Sequence, residues 1–468
     1  MKLRAWQADC LSQAHAHYGR GQRHFLCLAT PGAGKTHMAS TLAAELLNTS
    51  AVDLVICFAP SVIVADDFRE ALAAQTGRRF DGQLGASGCA LTYQAMLNLS
   101  EAFWSLLTQQ RVLVIFDEIH HCAGQSLEQA NAWGERILSR IQDQARYTLA
   151  LTGTPWRSDQ RPIALARYGQ GSVACDYRYG LDRAIADHVC RIPQLTLIDN
   201  DRIHVTRGVH TQHYGGFAAL IEDDACRYEQ LLFADALIRY VLTQAHRRLS
   251  QLRRRIPSAG GLIVATSVAH AHHIARVLQE VCGETAAIAT YREADPLATI
   301  RDFTHSRQPW IISVGMISEG TNVPRLRVCC HLTRVKTELY FRQVLGRILR
   351  ANGQPGEQAY FFMPAEPTLV EYARRLAEDI PDALPVVVDR MRASPPVTLG
   401  SPLPPLSPTT PDTRPAPVIR FADDEADSPA SSAPPPPSLL ADHYASRVDL
   451  SGRFRRELLA IQGLAADG

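Results

Sequence analysis

The chain has 468 residues, of which 46% are hydrophobic and 20% are charged. This composition is ordinary for a globular protein and excludes a wholly disordered chain, and the length predicts two or three domains. The formal net charge is +1. Any binding of nucleic acid must therefore depend on a local surface rather than on the charge of the whole chain.

Short apolar runs separated by longer helical patterns occupy most of the chain. The runs are rich in Val, Ile, Leu and Phe, a pattern typical of buried parallel strands joined by crossover helices. The predicted strands are 24–29, 53–59, 89–92, 112–116 and 148–152 in a first set, and 261–265, 286–289, 310–314, 326–332 and 358–363 in a second. We therefore expect an α/β fold with two parallel-sheet domains.

The domain boundaries follow from changes in pattern and composition. The predicted divisions are 1–185 and 257–366 for two α/β domains, 186–256 for a helical connecting segment, 367–392 for a helical extension, 393–437 for a disordered linker and 438–468 for a helical tail. Half of the 28 prolines lie between Pro395 and Pro437. Such a stretch buries too little apolar surface to offset the entropy of ordering it. The tail is expected either to dock on the body or to serve as a tethered recognition element.

Three observations concern the compartment. The chain has no run of 18 apolar residues, which excludes a membrane-spanning helix, and no apolar region at its start that would indicate a secretory signal. Its 11 cysteines are scattered and none forms a CxxC pair, so neither a disulfide framework nor a zinc site is indicated. We expect free thiols and a cytoplasmic location.

The strongest local motif is Ala29–Thr36, which reads ATPGAGKT and joins a predicted strand to a predicted helix. That context is typical of a phosphate-binding loop, in which Lys35 reaches the β- and γ-phosphates and the Thr36 hydroxyl binds Mg²⁺. The backbone groups expected to cradle the phosphates belong to Gly32, Ala33 and Gly34. The chain has three lysines among 48 basic residues, so a lysine here argues against an ordinary glycine-rich turn.

A pair of carboxylates, Asp117 and Glu118, follows the predicted strand 112–116. Ligands of open α/β sheets bind where parallel strands end. We predict that Asp117 binds Mg²⁺ and that Glu118 is the general base for the attacking water. A pair that merely caps a helix is the alternative, which the phosphate loop some 80 residues earlier disfavours.

Two hydroxyl residues, Thr152 and Thr154, follow another predicted strand end. They are expected to hydrogen-bond near His120 and Glu118 and so to couple the nucleotide site to the rest of the domain. Taken alone, this segment is equally typical of a plain turn.

Together these motifs resemble those of superfamily 2 helicases of the DEAD/DEAH-box type, over roughly residues 1–365. The resemblance is closest to stand-alone bacterial and phage helicases related to restriction-enzyme motor subunits. It implies two RecA-like domains that hold ATP and Mg²⁺ between them. It also implies that Gln7 reads adenine, with Arg4 nearby, and that Pro60, Thr92 and Thr321 contact the nucleic-acid backbone.

The second domain strengthens the resemblance. Residues 343–350 read QVLGRILR, which matches the QxxGRxxR pattern of the family at every fixed position. The resemblance implies catalytic roles for Gln343, Arg347 and Arg350, with the two arginines acting on the γ-phosphate across the cleft. It places Gly320 near the nucleotide. A solvated helix face is the alternative for the arginines, since positions i and i+3 share one side.

The sequence thus predicts an ATP-dependent helicase or translocase, with DNA favoured over RNA as its track. One alternative is an ATP-gated clamp that recruits a protein partner through residues 395–468. Another is the motor subunit of a restriction or defence system. We expect removal of 395–468 to leave basal ATP hydrolysis near normal.

Overall fold

In a computed structural model of the chain, the described residues are 2–124, 130–154, 161–169, 172–207, 210–317, 321, 323–351, 353–378, 386–391 and 446–461. They form two α/β units, as expected, each built on a largely parallel sheet. The predicted proline-rich linker, 393–437, lies outside the described residues. Within them, no helix is both long and apolar enough to cross a membrane.

The first unit contains the five strands predicted for it and three more. Its strands are β1 (His24–Ala29), β2 (Leu54–Ala59), β3 (Gly88–Thr92), β4 (Val112–Phe116), β5 (Tyr147–Thr152), β6 (Arg167–Gly169), β7 (Ser172–Ala174) and β8 (Tyr177–Tyr179). Six of them form a parallel sheet in the order β3-β2-β4-β5-β1-β8, while β6 and β7 form a separate antiparallel ribbon.

The helices of this unit are α1 (Ala5–Gly19), α2 (Lys35–Asn48), α3 (Val62–Thr76), α4 (Tyr93–Met96), α5 (Glu101–Gln109), α6 (Ala132–Arg136) and α7 (Leu181–Ala186). A 3₁₀ turn at Ile119–His121 and a π-helical turn at Ile137–Ile141 complete it. Side chains alternate along β2 and β4, so that Val55 and Ile115 enter one core and Ile56 and Val114 the other. Both faces of the sheet are covered, which explains why its strands read as continuous apolar runs.

The connecting segment 186–256 is predicted to be mostly helical, and that prediction is wrong for 192–214. The segment contains β9 (Ile192–Asn200), β10 (Ile203–Arg207) and β11 (His210–Tyr214), and then α8 (Phe217–Glu222), α9 (Tyr228–Leu232) and α10 (Asp235–Arg253). The apolar run of β9 is interrupted by Pro193, Gln194 and Thr196, and a proline argues against a strand. Pairing on both sides of β9 outweighs these local preferences.

The second unit contains the five strands predicted for it. They are β12 (Gly260–Ala265), β13 (Ala286–Ala289), β14 (Trp310–Ser313), β15 (Leu326–Leu332) and β16 (Gln358–Pro364), and the helices are α11 (Val268–Cys282), α12 (Pro296–His305), α13 (Glu338–Leu349) and α14 (Pro367–Glu378). Together with β9 they make a parallel sheet in the order β13-β14-β12-β15-β16-β9. The connecting segment therefore supplies an integral strand of the second domain.

The chain beyond α14 adds strands rather than the expected helices. They are β17 (Val386–Met391), β18 (Ser446–Leu450) and β19 (Phe454–Ile461). Strand β19 is antiparallel to both β9 and β17 and extends the second sheet, and β18 joins β10 and β11 in a three-stranded sheet. The spacing of Phe454 and Leu458 resembles a helix turn, but the Ser451–Gly452 break and the uncovered edge of β9 favour two strands. The tail prediction is thus wrong for 446–461.

Candidate nucleotide site between the two domains

The predicted phosphate loop connects β1 to α2. Gly32 and Gly34 have φ values of 85° and 97°, in the left-handed region that glycine adopts without strain. No side chain caps the first turn of α2, so its backbone N–H groups are oriented to receive an anion. Ala29, where stricter forms of the motif have glycine, ends β1 in register with Tyr179 of β8, and its methyl group is fully buried. The loop therefore tolerates alanine at this position.

Lys35 and Glu118 form an ion pair at the end of the sheet. Lys35 Nζ lies 2.8 Å from Glu118 Oε1 and 3.3 Å from the carbonyl oxygen of Ala29. The other carboxylate oxygen, Oε2, accepts a hydrogen bond from the backbone N–H of Gly153 at 3.0 Å and lies 3.4 Å from His120 Nδ1. The predicted phosphate ligand and the predicted base are thus in direct contact.

These contacts govern the ionisation of Glu118. Burial raises its pKa, but the charge of Lys35, the proximity of His120 and the hydrogen bonds from Lys35 and Gly153 outweigh burial and lower the pKa to about 2. Glu118 is therefore a carboxylate at neutral pH. Its backbone has a φ of 51°, an uncommon value for a residue other than glycine, and such outliers cluster at functional sites.

Asp117 precedes this ion pair at the end of β4. Its side chain is buried, its backbone N–H donates to the carbonyl of Phe58, and its own carbonyl accepts from the hydroxyl of Tyr93. Thr36 follows Lys35 in the first turn of α2. A carboxylate and a hydroxyl suit Mg²⁺, which commonly takes one or two protein oxygens and completes its shell with phosphate and water oxygens. The donor set therefore fits the predicted metal.

The residues predicted to couple the site are brought together behind Glu118. His120 Nδ1 lies 3.0 Å from Thr152 Oγ1 and 3.5 Å from Thr154 Oγ1. The Thr152 hydroxyl donates to the carbonyl of Thr154 at 2.6 Å and accepts from its N–H at 3.1 Å. Gly153, between these two threonines, donates its N–H to Glu118, so the carboxylate is hydrogen-bonded to this turn.

Arg4 and Gln7, expected beside adenine, hold the phosphate loop in this structure. Arg4 Nη1 donates to the carbonyl of Ala33 at 2.7 Å, and Gln7 Nε2 donates to the carbonyl of Gly34 at 2.9 Å. Gln7 Oε1 accepts the backbone N–H of Arg4 at 2.8 Å. Residues at the start of α1 therefore hold two backbone carbonyls of the loop.

The second domain approaches the loop through α13 and the residue that follows it. A Cβ atom built on Gly346 would lie 2.5 Å from Cβ of Pro31, and one built on Gly32 would lie 2.7 Å from Cγ of Arg350. Both distances are shorter than real Cβ contacts. Glycine at these two positions is therefore required for the observed approach of the domains.

Of the three residues predicted to be catalytic, Arg350 lies at this contact, and Gln343 and Arg347 belong to α13. Arg347 Nη1 donates to the carbonyl of Thr321 at 2.8 Å, and Gln343 is buried in the same helix. Burial lowers the pKa of Arg350 to about 10, with a further contribution from the charge of Arg347, so it remains a cation at neutral pH. Gly320 lies outside the described residues.

Comparison with known proteins agrees with this geometry. Residues 1–157 match the family model of the type III restriction enzyme res subunit. An "Uncharacterized protein Rv2917" of Mycobacterium tuberculosis is 33% identical over 390 residues, which cover 80% of this chain and 63% of the relative. Over its first third the chain is therefore similar to a restriction-enzyme subunit, and over most of its length it is similar to a mycobacterial protein.

Two solved structures show the same fold at low sequence identity. One is Dbp5 of S. cerevisiae bound to RNA and ADP BeF3, with a TM-score of 0.52, 14% identity, and coverage of 81% of this chain and 88% of that chain. The other is the type ISP restriction-modification enzyme LlaBIII bound to DNA, with a TM-score of 0.54, 13% identity, and coverage of 81% and 30%. The helicase-like fold therefore occurs with either nucleic acid.

The three residues expected to contact nucleic acid lie in different environments. Pro60 and Thr92 follow or end the neighbouring strands β2 and β3, and both are partly exposed. The Thr92 hydroxyl caps α4 by accepting the N–H of Ala95 at 3.1 Å. Thr321 is 5% exposed, so its side chain presents little surface to a bound strand in this arrangement.

The sequence analysis missed Cys190 and Arg191, which lie between the domains. Cys190 pairs with Arg350 through a backbone bridge, and its Sγ lies 3.9 Å from the carbonyl oxygen of Pro31. Arg191 is fully buried against the end of α13. The available signal was a lone arginine at the start of the run RIPQLTLI, which an apolar strand would not ordinarily contain.

Proposed function

We propose that the chain is an ATP-dependent helicase or translocase that couples ATP hydrolysis to movement along nucleic acid, with DNA favoured over RNA. The observation that carries this proposal is the enclosure of one phosphate loop by residues of both domains. Lys35 pairs with Glu118 of the first domain, and Arg350 of the second domain lies close against Gly32. Nucleotide binding and domain contact therefore involve the same few residues.

Lys35 and Glu118 exchange partners in the proposed cycle. When the phosphates of ATP enter the loop, they compete with Glu118 for the ammonium group of Lys35. Glu118 then keeps the Gly153 hydrogen bond, loses the nearest positive charge, and becomes a stronger base for the attacking water. Thr36 and Asp117 would hold Mg²⁺, which when bound neutralises charge on the phosphates.

The arginines of the second domain complete the site. Arg347 and Arg350 carry positive charge to the phosphate loop and would stabilise the charge that develops on the γ-phosphate, an effect worth about 10³–10⁵ in rate in phosphoryl transfer generally. Hydrolysis and phosphate release remove the charge that both domains share. ATP therefore favours the closed cleft by differential contact, and its loss favours opening.

The track would be held mainly through its backbone. Pro60 and Thr92 lie at adjoining strand ends of the first domain, where one strand of nucleic acid can be followed without reading its bases. Binding should therefore be weakly sequence-dependent and should weaken with salt. The match to a restriction-enzyme subunit supports DNA over RNA.

Steady-state ATP hydrolysis tests the proposal directly. It should be measured without nucleic acid, with single-stranded DNA, with duplex DNA and with single-stranded RNA, using Glu118→Gln as the blank. Stimulation by DNA supports the proposal, and stimulation by RNA alone would reassign the track. Turnover that ignores all four conditions would favour an ATP-gated clamp.

The match to the res subunit favours a second candidate, a translocating motor of a restriction or defence system. Such a motor moves along duplex DNA without separating its strands. Displacement of a third strand from duplex DNA, with no unwinding of the duplex, would support this candidate. Displacement of one strand of the duplex would support the helicase.

A further inference from the structure

Arg191 lies outside the motifs predicted for ATP hydrolysis. Its side chain nevertheless contacts two segments of the second domain, the end of α13 and residues 324–326. Its side chain is 0% exposed. Nε donates to Glu357 at 3.0 Å, Nη1 donates to the carbonyls of Leu326 at 2.7 Å and Ile348 at 2.8 Å, and Nη2 donates to the carbonyl of Pro324 at 3.2 Å. The guanidinium group is thus fully enclosed by acceptors.

Arg191, Arg327 and Glu357 form a buried cluster with two positive charges and one negative charge, which is unfavourable for a purely structural element. Glu357 also pairs with Arg327 at 2.7 Å, so two buried arginines share one carboxylate. Burial and the charge of Arg327 lower the pKa of Arg191 to about 10, although Glu357 opposes both. Buried ion pairs seldom stabilise a fold more than apolar residues of similar size. What the guanidinium supplies instead is directional binding of several carbonyl groups.

The bound carbonyls belong to the two segments that hold the predicted arginine fingers. Ile348 lies in α13 between Arg347 and Arg350. Pro324 and Leu326 close the segment that begins at Thr321, whose carbonyl accepts the hydrogen bond from Arg347. One side chain therefore fixes the helix end and the loop against which Arg347 is held.

The backbone beside Arg191 extends this contact to the phosphate loop. The N–H of Arg191 donates to the carbonyl of Leu349 at 2.6 Å, and the N–H of Ala351 donates to the carbonyl of Val189 at 3.1 Å. These two bonds enclose Arg350, which pairs with Cys190, and Cys190 in turn contacts Pro31. The position of Arg350 over the loop is thus set by the residues on either side of Cys190.

We propose that Arg191 is a positioning residue for ATP hydrolysis, which holds the end of α13 so that Arg350 lies over the phosphate loop. The inference rests on the proposed function of the site. Arg191 acts through Arg350 and does not itself touch the nucleotide. Its loss should therefore reduce the rate of the chemical step more than the affinity for ATP.

The test compares Arg191→Lys, which keeps the charge but loses the planar guanidinium group, with Arg253→Lys as a matched control. Arg253 also donates to two carbonyl groups, those of Ala259 at 2.6 Å and Arg307 at 2.8 Å, and neither lies in α13 or in the segment that begins at Thr321. Arg191→Lys should lower kcat at least about tenfold and change KM for ATP less than about threefold, because small misplacements of catalytic groups are costly. Arg253→Lys should keep kcat within about twofold.

A double-variant cycle separates positioning from a general structural role. Arg350→Ala alone and Arg350→Ala combined with Arg191→Lys should have the same kcat within about twofold, because the second change acts only through the first. Losses that multiply would overturn the inference, and so would a wild-type kcat for Arg191→Lys. A wild-type chain with no ATP hydrolysis would instead contradict the proposed function.

Folding of each variant is checked by its thermal midpoint. If Arg191→Lys does not fold, Glu357→Gln provides the second route, because it retains Arg191 and its three carbonyl bonds but removes the charge that orients Nε. It should lower kcat in the chain that has Arg350 and have no further effect in Arg350→Ala. An equal effect in both backgrounds would overturn the inference.

Discussion

Lys35 Nζ lies 2.8 Å from Glu118 Oε1, so the residue proposed to bind phosphate forms an ion pair with the residue proposed to activate water. The side chain of Lys35 is 10% exposed and that of Glu118 is 20% exposed, which leaves the pair poorly screened by solvent. The same contact that keeps Glu118 ionised also makes it a weak base until Lys35 is drawn away. Hydrolysis is thereby linked to the arrival of phosphate.

Lys35→Ala should lower kcat for ATP at least about 100-fold, because it removes the cation that stabilises the β- and γ-phosphates. The matched control is Lys336→Ala, which removes the lysine that pairs with Glu366 at 3.0 Å in the second domain. Steady-state ATP hydrolysis measures both variants. Wild-type turnover in Lys35→Ala would contradict the assignment of the phosphate loop.

Glu118→Gln should retain ATP binding and lower kcat by about 10²–10⁴, the usual contribution of a general base. The amide oxygen still accepts the hydrogen bond from Gly153, so the turn after β5 stays in place. Equilibrium binding of a fluorescent ATP analogue, together with turnover, checks the prediction. A folded variant that fails to bind the analogue would show that Glu118 acts in binding rather than in proton transfer.

The depressed pKa of Glu118 predicts a specific dependence of stability on pH. Its ordinary value of 4.5 is lowered to about 2 in the folded chain, since the charge and hydrogen bonds of Lys35 outweigh the opposing effect of burial. The unfolded chain therefore binds the proton first, and the stability that this carboxylate contributes is complete above about pH 4.5 and is lost as the pH falls toward 2.

Chemical denaturation of the wild-type chain and Glu118→Gln measures this effect. The difference between their unfolding free energies should be constant from pH 5 to 7 and should shrink between about pH 4.5 and 3. A difference that is the same at pH 3 and pH 6 would contradict the depressed pKa.

Thr152→Val should uncouple ATP hydrolysis from nucleic acid, since it removes the hydroxyl that lies 3.0 Å from His120 Nδ1. The control is Thr148→Val, at the other end of β5, which removes a hydroxyl 2.9 Å from His24 Nδ1. Each change should cost about 1–3 kcal/mol of stability, the usual result of leaving a buried partner unsatisfied. Only Thr152→Val should lower the stimulation by DNA, and equal stimulation in the two variants would exclude the coupling role.

A chain that ends at residue 445 should be less stable than one that ends at Ile461. Removing β19 uncovers one edge of β9 and takes away the stacking of Phe454 on Tyr240, whose ring centroids are 4.4 Å apart. We expect the thermal midpoint to fall by about 5 °C or more and aggregation to increase through the open edge. Equal midpoints would show that the tail lies outside the motor, as its composition suggested.

The sequence was sufficient to predict strands such as β4 and β12, because they read as short apolar runs. It failed for β9 since Pro193 and two polar residues break the pattern, and its pairing depends on β16 and β19, which are remote in the chain. The prediction for the tail failed for the same reason, because β19 forms a strand by pairing with the edge of β9.

The candidate site shows a similar division. The phosphate loop and Glu118 depend on side chains at fixed spacing, so the motifs predicted their proximity. Arg191 was missed because three of its partners are carbonyl groups, which every residue carries and no motif records. A side chain that donates to backbone carbonyls of distant segments has no pattern by which a single sequence would identify it.

The pairing of β9 on both sides restricts where the two domains can rotate. A strand held by β16 and β19 cannot bend without losing hydrogen bonds, so in the proposed cycle the pivot would lie in the residues between α7 and β9. Those residues include Cys190 and Arg191, which contact the phosphate loop and the end of α13. Any change in the backbone torsions of this short segment therefore moves Arg350 relative to Pro31, and the hinge and the catalytic contact cannot vary independently.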